Sequence, residues 1–150
     1  MDGAILQGRD IYYNNSKIYY TDLNVIVEAC KINTSQYNWL ITQYECNYYP
    51  TEELENKRHD YIWLTGKDFN ELIQNETLQF IWGIIIAFPL TTSLEDVLKN
   101  QLPTYKTEKY FPSLSIIEII SEDSSFVKVF SNQKDFIQNF RDSIPEARNI

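Results

Sequence analysis

The run LQFIWGIIIAFPL, residues 78–90, constrains the fold of this chain more than any other stretch. Its 13 residues are too few to cross a membrane as a helix, because a spanning helix needs roughly 20 apolar residues. The triplet Ile84, Ile85, Ile86 is β-branched throughout, and such side chains crowd a helix but fit a pleated strand. An apolar run without alternation describes a strand buried on both faces. Pro89 stops it, since proline cannot donate to a ladder. The chain must therefore build a sheet around residues 80–88.

Other segments supply the partners for that strand. IYYNNSKIYY, residues 11–20, predicts a hairpin about a polar NNS turn. QYNWLITQYEC, residues 36–46, alternates, with Tyr37, Trp39 and Ile41 pointing one way and Asn38, Leu40 and Thr42 the other. Tyr61 to Leu64 extend as a further strand. LSIIEIIS and FVKVFS form two β-rich runs joined by the four-residue loop EDSS. Between them lie helical signals. In TDLNVIVEACK, Leu23, Ile26, Val27 and Cys30 share a face, with Thr21 as cap and Asp22 in the first turn. Thr65 and Asp68 resemble a capping box before the stripe Phe69, Leu72, Ile73. TTSLEDVLKNQ has a Thr or Ser cap. A last helix begins near Ser131, buries Phe136, Ile137 and Phe140, and ends before Pro145. Residues 101–112, with Pro103 and Pro112, read as a loop. The expectation is an α+β fold, a mainly antiparallel sheet with about four short helices packed on one side.

Length and composition limit what such a fold can do. One domain accounts for 150 residues, and 4 glycines and 5 prolines leave no linker to divide it. The net charge of −8 repels phosphate backbones, so direct binding of nucleic acid is not expected, whereas a basic partner would be attracted. The imbalance is local: residues 44–100 carry ten acids and four bases, which accounts for six of the eight excess charges. MDGAILQGRD lacks the basic start and apolar stretch of a signal peptide. A cytoplasmic protein with free thiols at Cys30 and Cys46, and no membrane association, is the expectation.

Searching for chemistry returns mostly exclusions. Glycines 3, 8, 66 and 83 are too scattered for a phosphate-cradling loop. One histidine forbids a paired-histidine metal site, and two cysteines 16 apart do not make a zinc knuckle. No cofactor or metal is implied. Cys46 with His59 is the one nucleophile–base pairing worth naming. His59 lies in a charged run, and neighbouring glutamates raise a thiol pKa, against what a nucleophile needs. Glu118, with Glu122 and Asp123 close by, offers carboxylates. Glu118 reads as the wet face of an antiparallel strand, and EDSS as turn chemistry.

What remains is YECNYYPTEELENKRHDY, residues 44–61. Tyrosine offers a large contact area with few rotatable bonds. Carboxylates beside such rings would meet lysine and arginine on a basic partner. Glu45, Tyr48, Tyr49, Glu52, Glu53, Glu55 and Asp60 are the candidate partner-binding residues, joined by Glu122 and Asp123 in the EDSS turn. Alternatively the tyrosines pack on the sheet and PTEELE begins a helix capped by Thr51; a helix can also carry the interface.

The stretch YNWLITQYEC and the ending IIEIISEDSSFVKVFSNQKDFIQNFRDSIPEARNI carry a resemblance. That ending runs strand, D-S-S turn, strand, helix and a Pro-x-Ala closing segment. It resembles the small acidic immunity proteins of contact-dependent inhibition and other polymorphic toxin systems. The resemblance implies a cytoplasmic protein without catalytic residues. It would bind and block one cognate toxin domain with a basic surface, most often a nuclease. Set against it are a small regulatory or structural domain and, less favoured, an enzyme using Cys46 or Glu118.

Overall fold

Strand β6 (Phe80–Pro89) runs through the interior of a seven-stranded antiparallel sheet. The computed structural model describes residues 2–8, 11–19, 22–57, 59–75, 77–105 and 114–150. The other sheet strands are β1 (Asp2–Gln7), β4 (Tyr37–Cys46), β5 (Tyr61–Leu64), β7 (Ile117–Glu122), β8 (Phe126–Ser131) and β9 (Arg148–Asn149). Their order is β5-β4-β6-β7-β8-β1-β9, with every neighbouring pair antiparallel. The short strands β2 (Tyr12–Tyr13) and β3 (Ser16–Lys17) form a separate hairpin. Its turn is Asn14-Asn15, both at positive φ, so Ser16 belongs to the second strand and not to the turn.

The triplet that demanded burial on both faces receives it. Ile85 and Ala87 enter a large cluster on one side of the sheet, while Ile84, Ile86 and Phe88 enter a smaller one on the other. Helices α1 (Leu23–Ala29), α2 (Glu52–Asn56), α3 (Gly66–Ile73) and α5 (Lys134–Ser143) all contribute to the large cluster. Helix α4 (Leu94–Leu98) does not. Its Val97, with Leu102, Tyr105 and Leu114, covers the opposite face. The α+β expectation is met, but the four expected helices do not all pack on one side: the TTSLEDVLKNQ helix, α4, covers the second face, and α2 joins α1, α3 and α5 on the first.

That second layer overturns the reading of Glu118. Strand pairing places it between Ile86 and Phe130 on the side covered by α4, and it is only 4% exposed. Ser115 donates its hydroxyl to Glu118 Oε1 at 2.9 Å. It is a buried acid, because the face assumed to be wet is covered.

Local signals hold with small shifts. Thr21 lies outside the described residues, and the cap of α1 is Asp22, whose Oδ1 accepts from the backbone of Asn24 and Val25. Thr65 Oγ1 accepts from Asp68 N at 3.2 Å, whereas the full reciprocal box forms at α4 between Ser93 and Asp96. Helix α5 starts at Lys134; Ser131 ends β8 and its hydroxyl accepts from Gln133 N. Glu122 pairs with Phe126, which shortens the expected EDSS loop to three residues. Residues 101–105 are irregular as expected, and the rest of the expected loop lies outside the described residues. No helix among the described residues is long and apolar enough to cross a membrane.

Candidate docking site

The site begins with a break in the alternation of β4. Trp39 and Ile41 face the large cluster, so strict alternation would send residues 43 and 45 the same way. Gln43 instead takes φ 52°, and the β4–β6 register shifts between Thr42 and Glu45. This bulge moves the phase by one residue. Tyr44 and Cys46 now enter the large cluster, and Glu45 stands opposite Trp82 of β6. Tyr105 locks the bulge from above. Its hydroxyl donates to Ser121 O at 2.8 Å, accepts from Gly83 N, and has Gln43 O at 3.5 Å.

Beyond β4 the chain turns into α2. Thr51 Oγ1 accepts from Leu54 N at 3.3 Å, and Glu52, Glu53 and Glu55 occupy the first turn, where the helix dipole favours acids. Leu54 is the buried anchor, and Tyr44 donates its hydroxyl to Leu54 O at 2.7 Å. Lys57 ends the helix in the left-handed region, φ 46°. Its ammonium donates to Tyr44 O at 3.3 Å and lies 5.1 and 5.2 Å from the Tyr44 and Tyr49 ring centres. His59 then stacks on Tyr61, centroids 5.4 Å apart, as β5 begins.

Two grooves result, sharing a ridge made by Tyr44, Lys57 and His59. The first, of about 390 Å³, is lined by Glu52, Glu53 and Tyr61 as well. The second, of about 590 Å³, is lined by Gln43, Glu45, Asp60, Trp82 and Tyr105. Of the residues singled out from sequence, Glu45, Glu52, Glu53 and Asp60 thus converge on one corner of the sheet. Glu55 is exposed on α2 but lines neither groove. Tyr49 is half-buried, edge-on to Tyr44. Tyr48 is turned toward Asn75 and Thr77, donating its hydroxyl to Asn75 Oδ1 and accepting from Thr77 Oγ1. Glu122 ends β7, one residue beyond the Gly83–Ser121 pair, and makes a 3.8 Å ion pair with Lys128; Asp123 sits in the turn at φ 51°.

Cys46 lines neither groove. Burial pushes its thiol up to about 12, with Glu45 adding and Lys57 opposing. The thiol is protonated at neutral pH and offers no thiolate to pair with His59. Burial also raises the Tyr44 phenol to about 12, helped by Cys46, Tyr49 and Glu53. No group of three or more potential metal ligands occurs among the described residues. Trp82, Tyr105 and Lys57 were not singled out from the sequence. The residues of β4 that enter the large cluster shift from odd numbers at Trp39 and Ile41 to even ones at Tyr44 and Cys46, a change that no turn residue in the sequence announces.

These features define an α+β protein whose sheet corner carries a pair of acidic, ring-lined grooves. A family model described as "Protein of unknown function (DUF2691)" matches residues 9–148, and the chain belongs to that family. Neither a curated protein nor a solved structure matches it.

Proposed function

We propose that this protein is an immunity protein that binds a cognate bacterial toxin domain and blocks its basic, substrate-binding surface. The carrying observation is the convergence of Glu52 and Glu53 with Glu45 and Asp60 on the two sides of one tyrosine-bearing ridge. Carboxylates arranged around rigid rings suit a surface rich in lysine and arginine, as in the substrate groove of a nuclease. Charge of one sign also speeds encounter and makes it sensitive to salt. The acidity of the whole chain adds to that steering. The resemblance of the C-terminal third to immunity proteins points the same way, toward a cytoplasmic inhibitor with no chemistry of its own.

The test is to read the gene immediately upstream and, where it encodes a large secreted protein with a toxic C-terminal domain, to co-express that domain with this chain. Restored growth supports the reading. The double variant Glu52→Lys, Glu53→Lys should slow association roughly tenfold at low salt and flatten its salt dependence. A metabolic operon around the gene, or an on-rate unchanged by the charge reversal, overturns it.

A further inference from the structure

The second groove differs from the first in having an aromatic wall on the sheet itself. Trp82 and Tyr105 meet edge to face, centroids 4.9 Å apart and planes 77° apart. The Tyr105 hydroxyl is engaged at the bulge, which fixes that ring as a support for Trp82. Trp82 itself is only half-buried. Glu45 faces it across the β4–β6 ladder, and Asp60 lies on the same groove. Neither carboxylate has an ion-pair partner among the described residues.

The groove's own cation does not serve this wall. The Lys57 ammonium is held over Tyr44 and Tyr49 and donates to Tyr44 O. No described cation lies over the Trp82 ring. Among the described residues, the same corner therefore contains one filled cation–ring site and one aromatic wall without a cation, with two carboxylates beside it.

We infer that this second groove is a receptor for an arginine side chain of the basic partner, seated on Trp82 and paired with Glu45 and Asp60. The inference rests on the proposed docking function and deepens it. Arginine fits better than lysine for physical reasons. Its planar guanidinium stacks on an indole, is weakly hydrated, and presents several donors to two carboxylates at once. An ammonium is a compact, strongly hydrated charge that uses neither the flat face nor the fork.

A peptide titration tests the receptor without the toxin. The whole ¹⁵N-labelled protein would be titrated with an N-acetylated tri-arginine peptide and, separately, with a tri-lysine peptide. The expected result is saturable movement of the Trp82 indole resonance with the arginine peptide, while that of buried Trp39 stays in place. Binding of the lysine peptide should be several-fold weaker. The variant Glu45→Gln, Asp60→Asn should weaken the arginine peptide about tenfold with the rest of the spectrum preserved. Trp82→Leu should remove the preference for arginine over lysine.

Equal binding of the two peptides, or shifts spread over the acidic surface without Trp82, overturns the inference. A receptor that prefers arginine in a chain that fails to restore growth would retain this site and discard the toxin reading. Growth rescue without arginine preference would do the reverse.

Discussion

Glu45 stands directly opposite Trp82 only because Gln43, two residues earlier, adopts a left-handed backbone, φ 52°. A side chain with a Cβ is strained there, by roughly 1–2 kcal/mol in the left-handed region. Gln43 is exposed, so its own side chain is not needed for packing. Gln43→Gly should therefore fold at least as stably as the parent. Gln43→Val should lose about 1–2 kcal/mol, since branching at Cβ tightens the same clash. Urea midpoints at unchanged slope check both. A valine variant as stable as the parent would show that the bulge is not left-handed in solution.

The Trp39 and Phe69 rings stack at 3.9 Å with planes 6° apart, and both side chains are fully buried. This contact joins α3 to β4, and Trp39 also donates its indole N–H to Thr34 O at 3.1 Å. Phe69→Ala removes the ring and leaves a cavity, so the expected loss is about 3–5 kcal/mol. Phe69→Leu, which keeps most of the volume, should cost clearly less. Chemical denaturation measures both, and similar losses for the two would mean that the stack contributes through something other than volume.

How far the fold could be read beforehand depended on whether each stretch obeyed one regular period. Strand β5 was delimited at Tyr61–Leu64 because its neighbours are polar and Thr65 caps the next helix. β7 and β8 were clear for the same reason. The bulge in β4 was not, because the residue that makes it is a glutamine, which carries no turn signal of its own. Glu118 was misread because wet-face reasoning assumed that one side of the sheet meets solvent. The triplet Ile84, Ile85, Ile86 already required cover on both sides, and α4 with residues 101–105 provides it. At the site, the acids of residues 45–60 were legible from composition. Trp82 and Tyr105 were not, since Trp82 reaches that corner through the long-range pairing of β6 with β4 and Tyr105 through hydrogen bonds from an irregular segment to β6 and β7.

Tyr105 joins three strands through one hydroxyl, which bonds to Gly83 N and Ser121 O beside the bulge carbonyl of Gln43. Tyr105→Phe keeps the ring against Trp82 but leaves those backbone groups without that partner. The expected cost is about 1–3 kcal/mol. Amide exchange should quicken at Gly83 more than in the middle of β6. Unchanged exchange at Gly83 would show that the hydroxyl does not hold the bulge closed.

The two thiols give a prediction with a defined pH window. Burial raises both Cys30 and Cys46, the latter to about 12, whereas an unfolded cysteine ionises near about 8.5. The native chain therefore keeps its thiol protons where the unfolded chain has lost them. For a group whose folded pKa is raised, the stabilisation is fully present below the unfolded value and is lost as pH climbs toward the folded one. Stability should accordingly decline from about pH 8.5 upward as far as about 12 for Cys46. The double variant Cys30→Ala, Cys46→Ala should show a shallower decline, measured by urea unfolding at a series of pH values. In the native parent at pH 8 a thiol reagent should label neither cysteine until the chain is unfolded. Rapid labelling of Cys46 in the folded protein would mean that it is open to solvent and ionised, and would restore it as a candidate nucleophile beside His59.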